Sequence, residues 1–192
     1  MSRDTHVVAV LALDGVVGFD LAIPCQVFGS TRLTGGHLPY EVRVCGVRDT
    51  VRASASGTGY YRIQAPYGLE AAAGADTIVV PGVAVPRPAP AAVVDLLRAA
   101  AARGARTVSI CTGAFVLAQA GLLDGRRATT HWAAADELGR HYPRVEVDAA
   151  SLHLGDGRCS PRPVSPPDWT CACTWSGVTW APRSPPAPPG WS

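Results

Sequence analysis

The sequence predicts an α/β domain with a mostly parallel sheet and helices on both faces. Three observations carry this. Continuous apolar runs of strand length occur at 6–13 ("HVVAVLAL") and 75–82 ("ADTIVVPG"), as in strands buried on both faces. Helical periodicity separates such runs, most clearly in "APAAVVDLLRAAAARGA" (89–105). The 192 residues, 47% of them hydrophobic and 17% charged, suffice for one domain with its own core.

The elements follow in order. After the first strand, "DLAIPCQVFGST" (20–31) forms a short helix, with Pro24 suited to its first turn. "YEVRVCGV" (40–47) alternates and is a second strand. "VRASASGTGYYRIQA" (51–65) is a hairpin or two short strands, turned near Gly57 and Gly59. The run at 75–82 is stopped by Pro81-Gly82. The helix over 89–105 sets Val93, Val94, Leu97 and Ala101 on one face, and Gly104 ends it. "RTVSIC" (106–111) is a strand and "GAFVLAQAGLL" (113–123) a helix. A short strand at 126–132, a helix at 133–143, and a hairpin or two short strands at 145–157 complete the body.

Composition excludes several functions. The net charge of +2 shows no basic stripe for nucleic acid, and all the basic residues are arginine. No apolar run is long enough to span a bilayer, and the N-terminus reads as a strand rather than a signal peptide, so the expected location is cytoplasmic. The six cysteines have neither disulfide-scaffold nor zinc spacing, so free thiols and no metal or cofactor are expected.

Ligands of such sheets sit beyond the C-terminal strand ends. Residues Asp14 to Asp20, Pro81-Gly82 and Cys111 collect there. Cys111 ends a strand and is followed by Thr112, Gly113 and a helix, the pattern of a nucleophile elbow. The helix N-terminus favours its thiolate. The plain alternative is a buried thiol without a task, which is the reading preferred for Cys25 and Cys45. His131 in "TTHW" is either a base or a structural histidine packed on Trp132. Asp20 is either an N-cap or a neighbour of the thiol; in the second case it is protonated or opposes thiolate formation.

The segments "DGVVGFDLAIPCQVFG", "VVPG" and "VSICTGAFVLAQAGLLDGRRATTHW" resemble the ThiJ/PfpI superfamily of class I glutamine amidotransferase-like domains. They are most similar to the N-terminal sensor domain of GlxA-type AraC-family transcriptional regulators, and isonitrile hydratase is similar over the same motifs. The resemblance covers about residues 6 to 157 and implies a flavodoxin-like three-layer sandwich that forms a homodimer. It places Cys111 at the elbow, Asp20 opposite it, and Gly82 on a loop lending a backbone N–H. Thr112 stands where the peptidase-like branch carries histidine, which argues against a Cys-His protease. Cys111, Thr112, Gly113, Gly82, Asp20 and His131 are the expected pocket residues. Cys111 and Asp20 are the catalytic pair if the domain is an enzyme.

Residues 1–157 are therefore assigned to the sensor-like domain and 158–192 to an irregular tail. From Cys159 onward lie 9 of the 17 prolines and 4 of the 5 tryptophans. Such a stretch is not expected to pack as a helix or strand. A GC-rich coding sequence, shifted by two bases here, yields a strand-like start, a glycine turn and an amphipathic helix similar to the closing elements of the regulator domains. The expectation is thus a frameshifted, truncated sensor domain with an unknown small-molecule effector, lacking its helix-turn-helix units and unable to bind DNA alone. The competing readings are a cysteine-dependent hydro-lyase similar to isonitrile hydratase and a thiol oxidised in redox sensing.

Overall fold

The computed structural model describes residues 5–33, 36–55, 59–151, 153–154 and 178–181. In chain order the elements are β1 (His6–Ala12), β2 (Val16–Val17), α1 (Gly18–Ser30), β3 (Tyr40–Gly46), β4 (Thr50–Ala55), β5 (Gly59–Gln64), β6 (Tyr67–Gly68), β7 (Thr77–Val80), α2 (Ala91–Ala102), β8 (Arg106–Ile110), α3 (Ala114–Gln119), β9 (Arg127–Ala128), α4 (Ala135–His141), β10 (Glu146–Val147), β11 (His153–Leu154) and β12 (Val178–Ala181).

The main sheet has the order β11-β12-β8-β7-β1-β3-β6. Its centre is parallel, with Val8 opposite Val42 and Thr77, and Val79 opposite Val108. Two faces of β1 feed two cores. Val7, Ala9 and Leu11 join α2 and α3 residues such as Leu97 and Leu117 on one side. Val8, Val10 and Ala12 join Leu21 of α1 and Val51 of β4 on the other. A strand buried on both faces has no reason to alternate, which is why the apolar run at 6–13 is continuous. This is the expected flavodoxin-like sandwich. The hairpin at 51–65 also forms, as antiparallel β4 and β5. Among the described residues no helix is long and apolar enough to cross a membrane.

Four local expectations need correction. α1 begins at Gly18 rather than residue 20, because Val16–Val17 pairs with β4 and delivers the chain directly into the helix. Pro24 consequently sits inside the helix, not in its first turn. On α2 the buried stripe is Val93, Val94, Leu97 and Ala100; Ala101 is off the core face, although Gly104 does end the helix at φ +84°. α3 stops at Gln119 because Gly121, at φ +76°, turns the chain and Leu122 N–H donates back to Leu117 O. In 145–157 the second of the two alternatives forms: two short strands, β10 pairing with β9 and β11 with β12.

The fourth concerns the tail. Val178–Ala181 is a strand, antiparallel to β8. Its sequence, Val-Thr-Trp-Ala, is free of proline and rich in strand-favouring residues. The rest of the 158–192 assignment lies outside the described residues.

Gly113 marks the tightest contact of helix and sheet. A Cβ there would strike the backbone of Val80 and come within 3.0 Å of Pro81 O. Gly113→Ala is therefore expected to destabilise the fold by about 1–3 kcal/mol, the usual cost of overpacking. Gly29→Ala, where nothing lies within 4 Å in an exposed helical position, is expected to stabilise by about 0.5–1 kcal/mol. Chemical denaturation of both variants measures the contrast.

Candidate functional site

β8 ends at Ile110 in extended geometry, and the next residue reverses direction. Cys111 has φ +54°, the sole non-glycine residue with positive φ among the described residues. Such a conformation costs about 1–3 kcal/mol and persists where surrounding bonds fix it. Here two threonines do so. Thr130 Oγ1 donates to Cys111 O at 3.0 Å. Thr112 Oγ1 accepts from Val83 N–H at 2.8 Å and donates to Val83 O at 2.7 Å, tying the elbow to the loop after β7. The elbow read from the sequence is thus present, and Thr112 is a clamp within it.

Asp20 arrives from the first turn of α1 and is 3% exposed. It is not the N-cap: that position is Val17, with no side-chain cap. Its carboxyl instead faces Gly82 and Cys111. A Cβ on residue 82 would lie 2.5 Å from Asp20 Oδ2, 3.0 Å from Cys111 Cβ and 3.1 Å from Thr112 Oγ1. Glycine at 82 is what lets the three elements meet. Val17 N–H donates to Gly82 O at 2.8 Å, so the β2–α1 junction is pinned to the same loop.

The electrostatics follow from this enclosure. Burial is the main reason the Asp20 carboxyl titrates above its ordinary value; the Gly82 N–H, the Cys111 thiol and the nearby His131 oppose the shift. Asp20 Oδ2 nevertheless has no well-formed hydrogen bond. Burial, then the negative charge of Asp20, push the Cys111 thiol up to about 11, against a weaker pull from Thr112. This overturns the expectation that the helix N-terminus favours thiolate. α3 has only six residues and the thiol is 8% exposed, so loss of solvent and a neighbouring carboxylate outweigh the helix. The resting pair is a neutral thiol beside a carboxyl that holds its proton unusually well.

Five of the six expected pocket residues, Cys111, Thr112, Gly113, Gly82 and Asp20, form this one cluster. His131 stands at its margin. It lies within electrostatic reach of Asp20, but its Nδ1 accepts from Ala133 N–H at 3.2 Å, capping the turn Trp132–Ala134, and its ring lies 5.5 Å from that of Trp132. The structural alternative for His131 therefore describes its hydrogen bonding. Thr130 and Val83 escaped the sequence reading. The paired threonines of "TTHW" were the available signal for the first; Val83 acts through its backbone, which sequence does not display. Among the described residues no group of three His, Cys, Asp or Glu side chains is placed to hold a metal ion.

The DJ-1/PfpI family model matches residues 6–153. The chain is 38% identical over 149 residues to an uncharacterised protein in the cpoL 5′ region of Streptomyces lividans, covering 74% of this chain and 99% of that one. It is 50% identical over 56 residues to the HTH-type transcriptional regulator CdhR of Pseudomonas aeruginosa, covering 29% of this chain and 17% of the regulator. Over 44 residues it is 54% identical to isonitrile hydratase of Pseudomonas putida, 23% of this chain and 19% of the hydratase. An AraC family transcriptional regulator from Pseudomonas putida superposes with TM-score 0.65 at 20% identity, covering 78% of this chain and 79% of that structure, a likeness of fold. With the family pattern running from the first strand through the elbow to β11, this chain belongs to the DJ-1/PfpI family.

Proposed function

We propose that this domain is a sensor module of the kind found in AraC-type regulators, responding to a small molecule or to thiol chemistry rather than turning over a substrate. The observation that supports it is the enclosure of the elbow thiol, which is 8% exposed and shares its space with the Asp20 carboxyl. A thiol titrating near 11 is thiolate in only about one molecule in ten thousand at pH 7. His131 is occupied as a cap, and Thr112 stands beside the thiol in place of a base. Such a group is poorly prepared for nucleophilic attack and well placed to register a change in its surroundings. The partial match to CdhR points the same way; DNA contact in this reading belongs to a separate helix-turn-helix unit.

One observation favours the hydro-lyase reading. The unpartnered Asp20 Oδ2 lies beside the thiol, where a carboxylic acid hands a proton to a carbon adduct formed on sulfur. The two readings separate on an assay for conversion of an alkyl isonitrile to the N-substituted formamide. The sensor reading expects no turnover above the Cys111→Ala background; turnover that vanishes in both Cys111→Ala and Asp20→Asn would replace it with the enzyme.

Alkylation of Cys111 by iodoacetamide, followed by peptide mass, is expected to be slow at pH 7. Removing the Asp20 charge lowers the thiol pKa, so Asp20→Asn speeds labelling by about tenfold per pKa unit recovered. Burial, the larger cause, remains, so the rate stays below that of an exposed cysteine.

The same carboxyl sets a pH dependence of stability. Its folded pKa is raised above the unfolded 3.8. The native state therefore gains from its proton below pH 3.8 and loses that gain as pH rises through the folded value. Asp20→Asn mimics the protonated form. Its Tm is expected to exceed that of the parent by a few degrees at pH 7, roughly 1–3 kcal/mol, and to converge with it near pH 4. Thermal melts between pH 4 and 8 measure the gap.

A further inference from the structure

A cleft of about 310 Å³ lies on the far side of the loop that follows β7, and Cys111 is not part of it. Its floor is apolar: Leu13, Val51, Val83 and Val116 are all buried. Its walls carry Val85, Tyr60 and three arginines, Arg48, Arg52 and Arg87, against one carboxylate, Asp14. That carboxylate is already committed. Arg52 holds it through Nε at 3.1 Å and Nη2 at 2.6 Å, and the same guanidinium lies 5.4 Å from the Tyr60 ring centroid. The Arg52 pairing keeps the Asp14 carboxyl near 2, well below the usual carboxylate range, so it stays ionised and paired. Arg48 and Arg87 are exposed and make no ion pair among the described residues. A more polar groove sharing Arg48 and Arg52 continues to Arg62, another arginine without an ion pair there.

We infer that this cleft binds a small organic carboxylate with an apolar body. Its size is at the lower end of ordinary small-molecule sites, about 300–1,000 Å³. The apolar floor takes the hydrocarbon. Arg48 and Arg87 supply the charge and the forked donors that a carboxylate accepts, while Arg52, fixed by Asp14 and Tyr60, forms a rigid wall. A cation is excluded, because the one acidic side chain is already satisfied.

The cleft also bears on the elbow, an extension that rests on the sensor reading. Val83 is common to both. It lines the cleft, and its N–H and C=O are both held by Thr112 Oγ1, next to Cys111. Gly15 lines the cleft as well, and its C=O accepts from Ala84 N–H at 2.9 Å. A carboxylate seated on Val83 therefore changes the packing of the segment that encloses the Asp20–Cys111 pair.

Calorimetric titration of the full chain with octanoate, octanol, octylammonium and acetate tests the site. Octanoate is expected to bind, with the other three at least tenfold weaker. Arg48→Gln and Arg87→Gln each weaken octanoate about tenfold and leave octanol unchanged, since both side chains are exposed and neither supports the core. Val85→Trp fills the cleft and removes octanoate binding. Equal affinity for octanoate and octanol, or octanoate affinity retained in the double arginine variant, overturns the site. Saturating octanoate is expected to change the alkylation rate of Cys111 at least threefold, and to do nothing in Val85→Trp. Arginine-dependent octanoate binding with an unchanged alkylation rate overturns the coupling to the thiol and leaves the carboxylate site standing.

Discussion

The site depends on two pieces of backbone lying closer together than any pair of side-chain-bearing residues would allow. The loop after β7 and the turn after β8 meet at Gly82 and Gly113. Neither position has room for a Cβ: at Gly113 it would strike Val80 O, and at Gly82 it would crowd Asp20 and Cys111. Thr112 then closes the contact with two hydrogen bonds to one residue, Val83. These are bonds between buried groups, so breaking them leaves unsatisfied donors and acceptors rather than solvated ones. The left-handed Cys111 is affordable because this contact and Thr130 determine its geometry from both sides.

The chemistry of the elbow follows from that closeness. Water is squeezed away from the thiol, and the first turn of α1 is drawn in until Asp20 shares the enclosure. Burial makes each group resist ionisation; the carboxylate adds to the effect on the thiol, while the thiol's hydrogen bond favours the charged carboxylate. The carboxyl ionises first and thereby makes the thiol harder to ionise. A strand–cysteine–turn–helix pattern is commonly read as a sign of an activated nucleophile. In this molecule the acidic neighbour and the burial reverse the sign of the effect. Geometry and reactivity are separate properties, and the elbow supplies only the first.

Much of the fold was legible because it rests on local or one-dimensional signals. The continuous apolar run at 6–13 reflects two buried faces, and Gly104 announces the end of α2 by its freedom to adopt positive φ. The elbow was legible for the same reason, since strand, cysteine, small residues and helix are contiguous. What escaped depends on contacts between distant segments. The start of α1 is set by the pairing of Val16–Val17 with Ala53–Ser54, which nothing near residue 18 reveals. Val178–Ala181 is a strand because β8 offers it an edge, although its proline-rich flanks argue against it locally. The thiol pKa was misjudged because it is set by how far the enclosure excludes water, a quantity that belongs to the whole packing arrangement.

The segment from Gly82 to Ala84 constrains how the domain can respond to anything that binds it. Its backbone is bonded on three sides: Val17 N–H to Gly82 O, both polar groups of Val83 to Thr112, and Ala84 N–H to Gly15 O. A segment held this way does not flex residue by residue. Shifting it requires moving the β2–α1 junction and the elbow together, and Asp20 and Cys111 ride on those two elements. A ligand changes such an arrangement only to the extent that it prefers one position of the segment to another. Val83 lines the cleft, and its backbone is bonded to the elbow. In the proposed sensor, signal and response meet in a single residue, whose displacement is opposed by the hydrogen bonds that hold the segment to the elbow.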